Sequence, residues 1–334
     1  MASIRFALVV TLIGACGSSA PPPAKSAPSG MQCTSNCSQD APERQPVSPK
    51  PQQSFSVEAA SVVVPVKQYM PNIRVYADDD EERLYWVDYM GTAGYMSLSD
   101  GHIEKLNVNT GELSLNSENF YVGSRHIFAA SKELSAIVVA NRDRAAIIKT
   151  IPTKVMVTDV AATTDRVYWI DGNGLSSVSI DGGGTPTIHS PAQERDMLDA
   201  TPEHVLFKNQ QQELHLLSNG EMQLIATDVA HFSVWKNDVF IVKSGGTRGE
   251  VHAIGHGGLD VFDLDAPTEK FAVGAGGICS LSGANITCYD HKSKKRILNY
   301  SADPADTIQH LAVSQRMVFW STSDKHEIWA APLP

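Results

Sequence analysis

The stretch Arg166-Val167-Tyr168-Trp169-Ile170-Asp171 is a short aromatic strand, and the chain continues to a glycine-rich turn at Asp181-Gly182-Gly183-Gly184. The pattern recurs at Leu84-Tyr85-Trp86-Val87-Asp88 and, more weakly, at Val318-Phe319-Trp320-Ser321. From Phe55 onward, short apolar strands alternate with Gly, Asn and Asp turns, and no stretch keeps a helical period over three turns. Short strands at regular spacing indicate an all-β repeat architecture.

The repeat can be indexed on the strand that precedes each aromatic anchor. The six steps from residue 72 to residue 310 average about 40 residues, which is the size of a four-stranded propeller blade. The first step is long and the second is short, so the second blade is irregular. We therefore predict a β-propeller of four-stranded blades, with seven blades as the first choice and six as the alternative. The residues that open the seven indexed strands are Asn72, His126, Asp159, Asp196, His231, Lys270 and His310.

The two ends of the repeat region complement each other. The last unit stops after two or three strands, at Glu327-Ile328-Trp329-Ala330, whereas an extra strand at residues 56–66 precedes the first unit. Unpaired strand edges promote aggregation, so a propeller must avoid an open seam. We expect the N-terminal strand to supply the outer strand of the last blade, within a propeller that spans residues 55–334.

The two complete anchors, Tyr85-Trp86-Val87-Asp88 and Tyr168-Trp169-Ile170-Asp171, resemble the YWTD repeats of low-density-lipoprotein-receptor class B propellers. They are also similar to related propeller lipoproteins of bacteria, especially myxobacteria-like ones, often of unknown function. The resemblance implies that the aromatic pair packs between blades and that the Asp bonds locally to the backbone. It therefore implies core roles for Trp86, Trp169 and Trp320. Propellers of the YWTD type usually have six blades.

The N-terminus has the pattern of an export signal. Arg5 precedes the apolar run Phe6 to Ile13, which is too short to span a bilayer, and Gly14-Ala15-Cys16 completes a sequence that looks like a bacterial lipobox. We expect residues 1–15 to be a lipoprotein signal peptide and Cys16 to be lipidated, with an ordinary secretory signal as the alternative. Residues 16–54 are rich in Pro and Ser and predict a disordered tether. Because Gly17 rather than Asp follows Cys16, the resemblance favours the outer membrane of a bacterial envelope, periplasmic or surface-facing.

The other four cysteines form two local pairs. Cys279 and Cys288 flank Gly283-Ala284 symmetrically, so a two-residue hairpin turn there would place the two cysteines directly opposite each other. Cys33 and Cys37 could close a small loop in the tether. Two disulfides are therefore expected in an exported chain, with zinc as the alternative for four cysteines.

Composition and motifs exclude several function classes. The chain of 334 residues has a formal net charge of −10 and a pI of about 5.5, so nothing attracts it to nucleic acid or anionic lipid. It lacks a G-x-S-x-G nucleophile turn and an H-E-x-x-H zinc motif. We predict no catalytic residue, no cofactor and no metal, and we expect a monomer whose only membrane contact is its lipid.

One arrangement nevertheless points to chemistry. The first strand of each propeller blade lines the central channel, so the polar residues that open these strands would form a ring at one mouth. Such a ring could be a water-filled polar channel, or it could bind a metal or a polar or anionic ligand. The candidate ring residues are His126, His231, His310, Asp159 and Asp196.

The sequence therefore predicts an envelope-anchored lipoprotein whose propeller is a binding scaffold for an unknown envelope or extracellular protein, peptide or glycan. Loops on one face of a rigid scaffold suit that role. The alternative is a propeller enzyme, a lyase or hydrolase that uses the ring, and a third reading is a structural envelope component without a small ligand.

Overall fold

The computed structural model describes residues 59–65, 73–78, 80, 82–88, 93–106, 120–131, 135–142, 147–153, 155–181, 183–190, 197–254 and 258–334. These residues form seven four-stranded antiparallel sheets, which are the blades of a propeller. The prediction of seven blades is confirmed, and the alternative of six is wrong. Within the described part of the chain, no helix is long and apolar enough to cross a membrane.

Blades 1 to 3 follow one another in the first half of the chain, and each sheet keeps its strands in sequence order. Blade 1 contains β2 (Arg74–Asp78), β3 (Arg83–Val87), β4 (Ala93–Ser97) and β5 (Ile103–Leu106). Blade 2 contains β6 (Phe120–Val122), β7 (His126–Ser131), β8 (Ala136–Asn141) and β9 (Ile147–Pro152). Blade 3 contains β10 (Val157–Ala162), β11 (Arg166–Asp171), β12 (Gly174–Ser179) and β13 (Thr187–Ser190).

Blades 4 to 6 repeat the same order without interruption. Blade 4 contains β14 (Met197–Ala200), β15 (Val205–Lys208), β16 (Leu214–Ser218) and β17 (Glu221–Ala226). Blade 5 contains β18 (Val229–Trp235), β19 (Asp238–Lys243), β20 (Arg248–Ala253) and β21 (Leu259–Asp263). Blade 6 contains β22 (Lys270–Gly274), β23 (Gly277–Ser282), β24 (Asn285–Tyr289) and β25 (Arg296–Ser301).

Blade 7 combines the two ends of the propeller. It contains β26 (Ile308–Val313), β27 (Met317–Thr322) and β28 (Glu327–Pro332), and its outer strand is β1 (Ser61–Pro65). β1 pairs antiparallel with β28, from Ser61 opposite Ala330 to Pro65 opposite Glu327. The predicted closure is confirmed, and the last blade is completed by the strand that precedes the first.

The core lies between the blades because each sheet has apolar side chains on both of its faces. Seven buried clusters fill the spaces between blades. Trp86, Trp169 and Trp320 are 4%, 2% and 1% exposed, as expected for core residues. Gly94 is required beside one of them, since a Cβ at Gly94 would lie 2.2 Å from the Trp86 ring.

Blade 2 differs from its predicted register. The strand His126-Ile127-Phe128-Ala129 was expected to be the innermost one, but it belongs to β7, the second strand of the sheet. The first strand is β6, which has only three residues, Phe120–Val122. A short inner strand and a long apolar second strand explain why the pattern predicted the wrong member of the pair.

Two further features hold strands together, one within a blade and one between two blades. In blade 6, Cys279 and Cys288 lie directly opposite each other on β23 and β24, and a disulfide joins them. Between blades 1 and 2, the buried guanidinium of Arg142 donates to the Tyr85 hydroxyl and the Gly123 carbonyl, each at 3.0 Å, and pairs with the Asp78 carboxylate. Cys16, Cys33 and Cys37 lie outside the described residues.

Candidate functional site: the central channel

The first strands of the blades surround the central channel. β10, β14, β18, β22, β26 and β2 each contact the next in this series, and blade 2 contacts β10 through β6 and β7. Because the strands alternate in direction, all turns between first and second strands lie on one face, which we call the turn face. The first strands begin at the opposite face, which we call the entry face.

Four polar residues occupy the same level of the channel. Asp159, His231, Lys270 and His310 each stand at the same distance from the turn that joins their strand to the next. In three of these blades a β-bulge directly precedes the polar residue, at Thr158, Ala230 and Gln309. A bulge redirects the following side chain, so the repeated bulge gives these three residues a common orientation.

The acidic side chains of blades 3 and 4 bind backbone amides of the next blade. Asp159 is 3% exposed and accepts from the amide of Leu198 in blade 4 at 2.6 Å and from that of Val160 at 2.8 Å. Asp199 accepts from Ala200 at 2.8 Å and from the amide of Val234 in blade 5. Both carboxylates therefore join neighbouring blades.

Burial raises the pKa of Asp199 to about 6, although the two amide donors and the nearby charge of Arg74 act in the opposite direction. Since Arg74 is on blade 1 and Asp199 on blade 4, this charge acts across the channel.

The basic side chains of blades 5, 6, 7 and 1 form the other part of the wall. Burial lowers the pKa of His310 to about 3, and the positive charges of Arg74 and Lys270 act in the same direction. Burial also lowers the pKa of His231, as do the charges of Lys208 and Lys270, while a hydrogen bond to the Thr268 carbonyl raises it. Both imidazoles are therefore neutral at pH 7.

Two tyrosines complete the channel wall. Burial among the first strands raises the pKa of Tyr76, although 38% of the residue is exposed. The negative charges of Asp78 and Asp199 act in the same direction. The Tyr121 hydroxyl donates to the Ala200 carbonyl at 2.9 Å, so this side chain reaches from blade 2 to blade 4. Burial raises the pKa of Tyr121 well above its usual value.

Three of the five predicted ring residues, Asp159, His231 and His310, lie on first strands at one level. His126 does not, because it is on the second strand of blade 2, and Asp196 lies outside the described residues. Among the described residues, no group of three or more His, Cys, Asp or Glu side chains could hold a metal ion. The ring predicted from the sequence omitted Arg74, Asp199 and Tyr121, although Asp199 lies only three residues after the predicted Asp196.

A second polar cluster is enclosed within blade 3. Ser177 Oγ lies 2.8 Å from His189 Nε2, and the Arg166 guanidinium donates to the same Oγ at 2.9 Å. The pair resembles a nucleophile and its base, but Ser177 is 0% exposed. No substrate can reach the hydroxyl in this conformation, so the cluster acts as a connection between strands.

Each face of the propeller carries one tryptophan beside a lysine at a turn. On the turn face, Lys236 Nζ lies 4.6 Å from the ring centroid of Trp235, which also stacks on His291 at 4.4 Å between centroids. On the entry face, Lys325 Nζ lies 5.7 Å from the centroid of Trp329 and pairs with Asp306 at 2.8 Å. Both arrangements are within cation–π range.

No protein-family model matches the chain, and no curated protein matches it. Solved structures do show the fold. The chain is similar to the β-propeller domain of Cps50 (Swd1) from Myceliophteria thermophila, with a TM-score of 0.62 and 8% identity over 80% of this chain and 98% of that one. It is similar to the WD40 repeats of RRP9, with a TM-score of 0.61 and 9% identity over 84% and 99%.

A third similarity is to the WD40 β-propeller domain of Doa1, with a TM-score of 0.57 and 12% identity over 82% of this chain and 97% of that one. The three similarities define the class of the fold, a seven-bladed β-propeller with WD40-type neighbours. Because the sequence identities are only 8%, 9% and 12%, these similarities show the fold and nothing more.

Proposed function

We propose that the protein is a binding scaffold that presents the turns of one propeller face to another macromolecule. The observation that carries the proposal is the closed ring of seven blades, in which β1 completes the last blade. Such a ring holds its connecting turns in fixed positions, and rigidly placed turns suit recognition. The partner is an envelope or extracellular protein, peptide or glycan.

The YWTD subtype is part of this proposal. In blade 3, the Asp171 carboxylate accepts from the indole of Trp169 at 3.0 Å and from the amide of Asn173 at 2.7 Å. This local bonding is what the resemblance to YWTD repeats implies for the Asp of the motif. The buried positions of Trp86 and Trp169 support the same relationship.

The proposed location is the bacterial envelope, with a lipid on Cys16 as the anchor. Support comes from the sequence, in which the apolar run Phe6 to Ile13 precedes Gly14-Ala15-Cys16. The outer membrane is proposed because Gly17 follows the cysteine. Labelling cells with a fatty-acid analogue tests the anchor: wild-type protein should take up the label and Cys16→Ser should not. Label on Cys16→Ser, or none on the wild type, would refute lipidation.

The two tryptophan–lysine pairs allow the binding face to be tested with matched variants. Trp and basic side chains are frequent at the energetic centres of interfaces, and Trp235 is partly exposed beside the exposed Lys236. We expect the turn face to be used, because Trp235 there stacks on His291, which is followed along the chain by the exposed Lys292.

The experiment is cross-linking of the full-length protein in envelope preparations, followed by identification of captured partners. Lys236→Glu should reduce capture at least about fivefold, whereas Lys325→Glu, the matched change on the entry face, should leave it unchanged. Capture that depends on Lys325 instead would assign the entry face. A wild-type protein that captures nothing would refute the scaffold proposal itself.

A further inference from the structure

Four consecutive blades place one basic side chain each at the entry-face mouth of the channel. They are His231 in blade 5, Lys270 in blade 6, His310 in blade 7 and Arg74 in blade 1, and we call this set the basic arc. His231, Lys270 and His310 stand at one level, and Arg74 opens its own first strand one residue farther from the turn. Lys270 is exposed and the other three are partly exposed, so solvent reaches the arc.

The side chains of the arc point in one rotational direction. Ala312 packs in the core between blades 7 and 1, so His310, two residues before it on the same strand, faces blade 1. By the same alternation, Ala272 packs between blades 6 and 7, and Lys270 faces blade 7. His231 faces blade 6, where it donates to the Thr268 carbonyl. Each basic group therefore points toward the next.

The charges around the two imidazoles are all positive within the described residues. Arg74 and Lys270 act on His310, while Lys208 and Lys270 act on His231. The channel carboxylates of Asp159 and Asp199 are held by amides of blades 4 and 5, and neither contributes to the pKa shift of His231 or His310, although the charge of Arg74 acts on Asp199 across the channel. The arc thus concentrates positive charge at one mouth of a protein whose formal net charge is −10.

We propose that the basic arc binds an oxyanion, a carboxylate or phosphate group, with Arg74 and Lys270 as the charged donors and the imidazoles of His231 and His310 as additional donors. Arginine and lysine form charge-assisted hydrogen bonds to such groups, which are stronger than neutral ones. This site is independent of the macromolecular surface proposed above, because it lies inside the channel mouth and uses none of the turn-face residues.

The site has a predictable dependence on pH. Burial is the main cause of the low pKa of both imidazoles, and the nearby positive charges act in the same direction. An anion in the arc offsets the charge of Lys270 and favours protonation of His231, whose neutral ring already uses its N–H on the Thr268 carbonyl. Binding should therefore consume protons and become tighter as the pH falls. Sulfate is the suitable probe for this measurement because its own charge does not change between pH 8 and pH 6.

The test is isothermal titration of the purified full-length protein with sulfate, inorganic phosphate and acetate at constant low ionic strength. We expect a dissociation constant below about 1 mM for at least one of these anions. Lys270→Gln should weaken binding about fivefold to tenfold. Lys105→Gln, which removes an exposed lysine from β5, the outer strand of blade 1, should have no effect. A comparison of phosphate with acetate distinguishes a tetrahedral ligand from a carboxylate.

Sulfate should bind about threefold or more tightly at pH 6 than at pH 8, since His231 gains a proton in the complex. Absence of binding by all three anions would overturn the proposal, as would binding that Lys270→Gln and Arg74→Gln leave intact. Affinity for sulfate that does not change with pH would overturn the role of His231. Circular dichroism of both variants verifies the fold, and Lys270→Glu provides a second substitution at an exposed position.

Discussion

The two sides of the central channel use charged side chains in opposite ways. In blades 3 and 4, Asp159 and Asp199 are fixed by backbone amides of the following blade. In blades 5 to 7 and blade 1, the basic arc is partly open to the channel, and Lys270 is exposed. Asp159 and Lys270 stand at equivalent strand positions, so the same position joins two blades on one side and presents charge to solvent on the other.

The difference shows how one repeat can separate stability from recognition. A carboxylate that accepts from amides of the next blade satisfies groups that would be costly to bury unpaired. Lys270, at the position equivalent to Asp159, cannot accept from these amides, and its exposed ammonium group can meet a ligand. The amide-bound carboxylates should thus control folding and the exposed Lys270 should control binding, while the buried imidazole of His310 affects stability only through pH. Four measurements test this division.

The largest effect is expected for Asp159→Ala. Its removal leaves the amides of Leu198 and Val160 without their buried acceptor, which should lower the free energy of unfolding by about 3 kcal/mol. Denaturant titration at pH 7 measures the change. Asp181→Ala, an exposed carboxylate of the same blade, is the control and should stay within about 0.5 kcal/mol of wild type. Equal effects of the two variants would contradict the proposed linking role.

The next effect concerns His310, whose pKa in the folded protein is about 3 against an ordinary value of 6.5. Between these values the unfolded chain binds a proton that the folded chain does not, so the contribution of His310 to stability is lost as the pH falls. Between pH 7 and pH 5, wild type should lose up to about 2 kcal/mol of unfolding free energy through His310, and His310→Gln should not show this loss. The exposed His102 provides the control variant, His102→Gln, whose pH dependence should match wild type.

Asp199 should act with the opposite sign and a smaller size. Its pKa of about 6 in the folded protein exceeds the ordinary 3.8, so its contribution is fully present below 3.8 and is lost as the pH rises through 6. As the pH falls from 7 to 5, wild type should gain about 1 kcal/mol of unfolding free energy through Asp199, and Asp199→Asn should not show this gain. Thermal unfolding across this range, compared with wild type, measures it. A variant with an unchanged pH profile would show that Asp199 does not titrate in this window.

The smallest effect on stability is expected for Lys270→Gln. Because Lys270 is exposed and faces the open mouth, its loss should change the free energy of unfolding by less than about 0.5 kcal/mol. The same denaturant titration applies. A loss comparable to that of Asp159→Ala would mean that the basic side also holds the ring together, and the contrast between the two sides would disappear.

Much of the architecture could be predicted because propeller blades are local structures. Six of the seven blades consist of consecutive strands, so the spacing of aromatic anchors such as Trp86 and Trp169 was sufficient to predict the four-stranded repeat. Closure could be predicted for a similar reason, since a missing strand at one end and an extra strand at the other must complement each other. These arguments need only sequence order and strand length.

The channel was less predictable because its contacts join different blades. His126 was placed on the ring because its strand is longer and more apolar than the three-residue β6, which carries little pattern of its own. Arg74 was missed by two positions, since Asn72 precedes it as the first polar residue of the segment. The bond from Asp199 to the amide of Val234 links residues on separate sheets, and no periodicity within either strand reports it.

The pairing of β1 with β28 also determines how the molecule would respond to a mechanical load. Any pull on the residues before Ser61 reaches the propeller first through β1, whose hydrogen bonds to β28 are the connection between that strand and the last blade. Rupture of this single ladder would free β1 while the other six blades keep all of their own strands. The closing strand is therefore the point at which tension would open the ring. A force applied at the N-terminus would act on β1 before it reached the strands of the channel.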